Sequence, residues 1–216
     1  MSEIFAVSGQ HYLFNVQAFA QTILSLGGDE FHYALRDRTT RGVIEDVSSA
    51  KSELGVIVLF NKTRPVILDA ARKGGCEFVS VAKGEPCVAL PASHPLSNAE
   101  SLTLEDLSDW PYVYFEQEED APVEFFEECY GSIDRKKSIA LTDRASLSEL
   151  AAAINGYTIT SGILVGITGG GSLTTVPLQC DAELEIGYIK RAGATLSEAG
   201  QRFTRALETQ LKRYTR

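Results

Sequence analysis

The sequence predicts an α/β fold in two lobes, each a mostly parallel sheet flanked by helices. Three observations carry that reading. Short apolar runs alternate with amphipathic, helix-length stretches in two successive series, the pattern of parallel strands joined by crossover helices. One run, GVIVLF at 55–60, is apolar throughout, as a strand covered on both faces must be. No stretch rich in Pro, Gly or Ser separates the two series, so strands built into the structure are expected to join the lobes. A chain of 216 residues accommodates either one large domain or two small lobes.

Lobe I is expected over 1–83. A strand at 4–7 breaks at Ser8-Gly9, and the apolar spacing Leu13, Val16, Phe19, Ala20, Ile23, Leu24 then predicts a helix ending near Gly27-Gly28. A second strand is expected at 31–35, followed by a polar turn. Val43, Val47, Ala50 and Leu54 share one face of a second helix that Thr39 or Thr40 could cap. After the 55–60 strand, 63–75 reads as a helix with Pro65 in its first turn and a Gly-Gly stop.

Lobe II is expected over 84–163. Strand-like runs at 77–82 and 86–91 lead into it. A short helix is expected at 103–109, a strand at 112–115, and a helix at 122–130 with Pro122 in its first turn and Gly131 past its end. A strand at 137–141, a helix at 144–155 and a strand at 157–160 complete the series. The tail, 164–216, is expected to return to lobe I through strands at 173–177 and 184–189. Its final helix has Thr195 and Glu198 at capping-box spacing and an apolar stripe of Phe203, Ala206, Leu207 and Leu211.

Net charge is −9, which repels a phosphate backbone, so these residues are not expected to bind nucleic acid themselves. Cys76, Cys87, Cys129 and Cys180 lie far apart without a CxxC pair or a His at ligand spacing. Free thiols in a reducing compartment are expected, and no metal or cofactor. No basic flank with an apolar run opens the chain and no apolar window is of membrane-spanning length. A soluble, cytoplasmic chain is expected, with no membrane partner. His11, His32 and His94 are dispersed, and neither a GxSxG elbow nor an HExxH helix occurs, so no enzyme is expected. Gly169-Gly170-Gly171 lacks the Lys-Ser/Thr of a phosphate loop and reads as a surface turn. The acidic run at 116–120 lacks the Asp/Asn alternation of a calcium loop and reads as a solvated loop at a helix N-terminus.

Several phrases, in order along nearly the whole chain, resemble the effector-binding domain of LysR-type transcription regulators. They are FAVSGQHYLFNVQAF, LRDRTTRGVIEDV with SELGVIVL, HPLSNAESLTLEDLSDWPYV, LTDRASLSELAAAINGYTITSGIL, and the closing VPL, IGYIKR and LSEAGQRF. The third is the most specific, with HPL, a Leu-rich stretch and Trp-Pro-aliphatic at the family's spacing. The resemblance implies a two-lobed periplasmic-binding-protein-like (type 2) fold that senses a small effector. It also implies a homodimer or higher homo-oligomer, for which the helices expected at 12–26 and 122–130 carry aromatic surface. The family's helix-turn-helix and linker helix do not precede Ile4 in this sequence, so an excised effector domain is expected, with DNA contacted only through that missing part. Where many members have an Asp within ELDLAI, this chain has Gly55 within ELGVIV, and any role of that Asp is not carried over.

In open α/β lobes, ligands sit beyond the carboxyl ends of the strands, beside helix N-termini that favour anions. Lobe I then offers Ser8, Gly9, Gln10, His11, Thr39, Thr40, Phe60 and Asn61; lobe II offers Phe115, Glu116, Gln117, Thr142, Asp143, Arg144, Thr160 and Ser161. Ser8 and Thr40 match positions that often contact effectors in the family, although capping alone also accounts for them. Arg144 either clamps a ligand carboxylate or pairs with Asp143 or Glu116 as a strut, and His11 is either a contact or a polar residue of the first helix turn. The expected partner is a small polar or anionic effector. The competing reading is a transporter's solute-binding protein, which uses the same two-lobed plan.

Overall fold

The structure, a computed structural model, describes residues 4–163 and 173–212. The first lobe runs β1 (Ala6–Gly9), α1 (Leu13–Leu26), β2 (Ala34–Asp37), α2 (Thr40–Ser48), β3 (Leu54–Phe60), α3 (Arg64–Lys73) and β4 (Cys76–Gly84). The second runs β5 (Cys87–Pro91), β6 (Tyr112–Phe115), β7 (Ser138–Leu141), α4 (Arg144–Ile154), β8 (Thr158–Thr160) and β9 (Leu173–Pro177). The chain then closes with β10 (Leu184–Arg191) and α5 (Glu198–Lys212).

Lobe I is a five-stranded sheet in the order β2-β1-β3-β10-β4, with β1 parallel to β2 and β3, and β10 antiparallel between β3 and β4. Every residue of β3 is buried, and period-two alternation divides them between two cores. Val56, Val58 and Phe60 meet Phe14 and Phe19 of α1 and Phe203 and Leu207 of α5, while Ile57 and Leu59 meet Val43, Val47 and Ile67 of α2 and α3. Burying Phe203, Leu207 and Leu211 completely is worth about 1.5–3 kcal/mol each, which holds the C-terminal helix to this lobe. Gly55 is required by close approach, since a Cβ there would lie 2.5 Å from Val43 Cγ1 and 2.9 Å from Ile189 Cγ1. That leaves no space for the aspartate many family members place here.

Lobe II joins an antiparallel sheet, β8-β5-β9, to the parallel pair β6-β7 through a bridge between Tyr112 and Tyr157. The strand at 173–177, expected in the tail returning to lobe I, belongs to this sheet. Val88, Ala89 and Leu90 of β5 are buried and need a partner strand on each edge, and β9 supplies the second. The chain re-enters lobe I at β10.

Other elements differ from expectation for local reasons. β2 starts at Ala34, in register with Ala6, and leaves Phe31 stacked on Tyr33 at the surface. Thr39 caps the second helix by accepting from the Gly42 amide at 3.1 Å, and that helix stops at Ser48, so Leu54 opens β3 instead. Residues 104–109 form successive turns, pinned where the Asp106 carboxylate accepts from the Thr103 amide and hydroxyl. Ser197, not Thr195, caps α5, its hydroxyl accepting from the Gly200 amide at 3.1 Å.

The largest departure is at 122–130, where only Val123–Phe125 makes a turn of 3-10 helix. Phe126 is extended and Tyr130 has φ +59°. Contacts to lobe I and β6 take the Phe125 carbonyl and the Glu127 and Glu128 carboxylates, and outweigh the helical spacing. This segment therefore presents no helix face for a dimer. The Gly169-Gly170-Gly171 turn lies outside the described residues. Among the described residues, no helix is long and apolar enough to cross a membrane.

Candidate functional site

A cavity of about 110 Å³ lies where the β1–α1 loop of lobe I faces the second sheet and the first turns of α4. His11, Tyr12 and Leu13 wall it from lobe I. From lobe II come Ala89 of β5, Phe115 at the end of β6, Arg144, Leu147 and Ser148 of α4, and Thr158 and Thr160 of β8. Glu127 and Glu128 close one end. Most of the wall is apolar.

Segment 116–128 straps the two lobes together beside this cavity. The Glu127 carboxylate, 1% exposed, accepts from the His11 amide at 3.0 Å and contacts His11 Nδ1 at 2.8 Å. The His11 ring stacks on Phe115 with centroids 4.1 Å apart, and the Tyr12 hydroxyl donates to the Glu127 carbonyl at 3.1 Å. Thr40 donates to the Phe125 carbonyl at 2.8 Å, Thr39 donates to Glu118, and Arg41 pairs with Asp120 at 2.7 Å. Burial by itself would lower the His11 pKa, but the Glu127 hydrogen bond and charge, with Asp37, outweigh burial and Arg144 and raise it. Burial, then the adjacent Glu127 charge, pushes the Glu128 carboxyl well above the usual carboxylate range despite the hydrogen bond from the Phe115 amide.

The structure brings His11, Phe115, Arg144 and Thr160 together on the cavity and places the other sequence candidates elsewhere. Ser8 is buried inside lobe I, donating to Asp46 at 2.7 Å beside Ser52, in a cluster that Arg38 and Lys51 also join. Gly9 packs on Asn15, whose amide nitrogen would be 2.4 Å from a Cβ. Gln10 bridges inward, donating to Thr40 at 2.7 Å and accepting from the Val58 amide at 2.7 Å. The Thr39 and Thr40 hydroxyls are spent on the strap. Phe60 and Asn61 border a separate open depression with Arg64 and Lys83. The Glu116 side chain is exposed, Gln117 folds back on the Phe115 carbonyl, Thr142 faces solvent, and the Ser161 hydroxyl accepts from the Ile163 amide at 3.4 Å. Asp143 caps α4 through the Ser146 amide and hydroxyl, which hold its carboxyl below the usual range. Arg144 is a strut, but its partner is Asp37 of lobe I at 3.0 Å rather than Asp143 or Glu116.

Sequence reasoning missed Glu127, Glu128 and Thr158. The signal available was two adjacent carboxylates inside the aromatic run FFEECY, where burial demands partners.

A family model described as LysR substrate binding domain matches residues 35–212. No curated protein matches the chain. Among solved structures, the effector binding domain of QuiR in complex with shikimate is similar over 98% of each chain, at 14% identity and a TM-score of 0.61. The reduced OxyR regulatory domain from Pseudomonas aeruginosa aligns over 95% of each chain at 10% identity and a TM-score of 0.67. HinK, a LysR family transcriptional regulator from the same organism, aligns over 96% of this chain and 70% of its own, at 13% identity and a TM-score of 0.62. At these identities the likeness is one of fold.

Proposed function

The chain belongs to the LysR substrate binding domain family, the effector-sensing part of LysR-type transcription regulators, and from that membership we propose that the cavity between its lobes is where a small effector is sensed. The observation that carries the reading is the position of the cavity, whose wall is shared by the β1–α1 loop and the second sheet and includes both sides of the His11–Glu127 latch. A ligand there touches the latch directly. By binding one arrangement of the lobes more tightly than another it shifts their equilibrium.

In this reading the effector is small and polar, and the domain is a sensor without catalytic turnover, working as a homodimer in the cytoplasm. DNA is contacted by another part of the regulator, since a chain of net charge −9 does not attract phosphate. The shikimate bound by the similar QuiR domain supports a single-ring effector. The lobes divide near residue 84, and β10 and α5 close lobe I.

Thermal-shift screening of a small-metabolite collection against the wild type and Ser148→Phe tests the site. Ser148 is half-buried on the cavity wall, so a phenyl group there fills the space. Compounds that stabilise the wild type should lose their effect on the variant. Equal stabilisation of both proteins would remove the cavity from consideration.

A further inference from the structure

The cavity has an electrostatic character opposite to that expected from the sequence. Its two basic side chains are already matched: His11 by Glu127 at 2.8 Å, and Arg144 by Asp37 at 3.0 Å. An external anion drawn to His11 competes with Glu127, and displacing it leaves a buried carboxylate without a partner, the least favourable arrangement for such a group.

Nine buried side-chain polar atoms lack a hydrogen-bond partner among the described residues, and two of them belong to residues on the cavity wall: Glu128 Oε2 and Thr158 Oγ1. Glu128 is 4% exposed and Thr158 5%. Glu128 is anchored by its other oxygen, which accepts from the Phe115 amide at 2.8 Å, so Oε2 is left at the end of β6. Thr158 stands opposite Ala89 in the β5–β8 ladder, so both side chains project from the same sheet face. Leu147 of α4 and Phe115 share the cavity wall with that pair. Native proteins leave few such groups unsatisfied, and two on the wall of one apolar space offer partners to a ligand's polar group.

We propose that the effector is an uncharged, single-ring molecule bearing a hydroxyl or carbonyl group, which hydrogen-bonds to Glu128 Oε2 and Thr158 Oγ1 while its ring fills the apolar part of the cavity. The inference rests on the reading of this cavity as the effector site. Size limits the ligand to no more than one ring, since the cavity of about 110 Å³ is somewhat smaller than an engineered apolar cavity of roughly 150 Å³ that takes benzene. A ligand hydroxyl donates to Glu128 Oε2, and the Thr158 hydroxyl donates or accepts as the ligand requires.

The test compares probes of one ring and differing charge on the intact chain at pH 7.5: benzyl alcohol and benzamide, benzoate, and benzylamine. Binding is followed by two-dimensional NMR and located by crystal soaking. The neutral pair should bind in the cavity at least about tenfold more tightly than either ion. Thr158→Val keeps the shape and removes an unsatisfied hydroxyl, so it should fold as stably as the wild type yet bind benzyl alcohol about three- to tenfold more weakly. Benzoate binding more tightly than benzyl alcohol, with Glu127 displaced from His11, would overturn the proposal while leaving the cavity as the site. Unchanged benzyl alcohol affinity in Thr158→Val would also overturn it. If no probe enters the cavity, or if Ser148→Phe weakens none of them, the site assignment fails as well.

Discussion

Replacing Glu127 by Ala removes the acceptor for the His11 amide at 3.0 Å and the partner of its ring at 2.8 Å, both in buried surroundings. Removing one member of a buried charged pair costs about 3–5 kcal/mol. For a chain of this length that corresponds to a fall of about 6–20 °C in Tm. Glu127→Gln keeps an acceptor for the amide and loses only the charge, so its loss should be smaller, about 1–2 kcal/mol. The two variants also differ from the wild type in their pH dependence. Burial alone would lower the His11 pKa, but Glu127 and Asp37 raise it above its ordinary value of 6.5. A raised histidine pKa gives stability that is fully present below pH 6.5 and is lost as the pH climbs through the folded-state value. The gap between wild type and Glu127→Gln should therefore be widest near pH 6 and narrow as the buffer becomes alkaline. Differential scanning calorimetry from pH 5.5 to 9 measures it. A gap that stays constant, or widens with pH, would refute a charged latch.

Further outcomes follow from the same geometry. Glu128 has a raised pKa through burial and the Glu127 charge, so its contribution is complete below the usual carboxylate range and erodes as pH rises. Glu128→Gln mimics the protonated form and should match the wild-type Tm near pH 4.5 and exceed it increasingly toward pH 8; a variant that falls behind at pH 8 would contradict this. Gly55→Ala forces a methyl group to within 2.5 Å of Val43, and the overpacking should cost about 1–3 kcal/mol, read from urea midpoints; no change would show that α2 moves aside freely. Arg144→Ala breaks a strut whose two side chains are 23% and 32% exposed, so the loss should be at most about 1 kcal/mol and should shrink at high salt, with no change in salt dependence counting against an ionic strut.

Much of the fold was legible because burial writes itself into sequence. The GVIVLF strand, the Gly27 stop of α1 and the bounds of β6 and β9 follow from apolar runs and turn chemistry. The strap at 116–128 was not legible, because its residues have helical spacing but take their partners from residues distant in sequence. Glu127 meets His11 and Phe125 meets Thr40, and no local pattern records either contact. The candidate site shows the same division. Strand ends pointed to His11, Phe115 and Arg144, which line the cavity, since loop position follows from topology. Ser8, Gln10 and Thr40 sit at those same strand ends, yet their hydroxyl and amide groups are consumed internally. Thr158 reads in the sequence as an ordinary strand residue. Only its pairing opposite Ala89 shows which face it occupies.

A ligand that shifts the lobes from this cavity must act on the latch. Hydrogen exchange of the intact chain, with and without saturating benzyl alcohol, reads this most directly. Protection is predicted to rise at 11–13, 115 and 123–128, and to vanish in Ser148→Phe. Protection confined to the depression around Asn61 and Lys83, or persisting in Ser148→Phe, would contradict it.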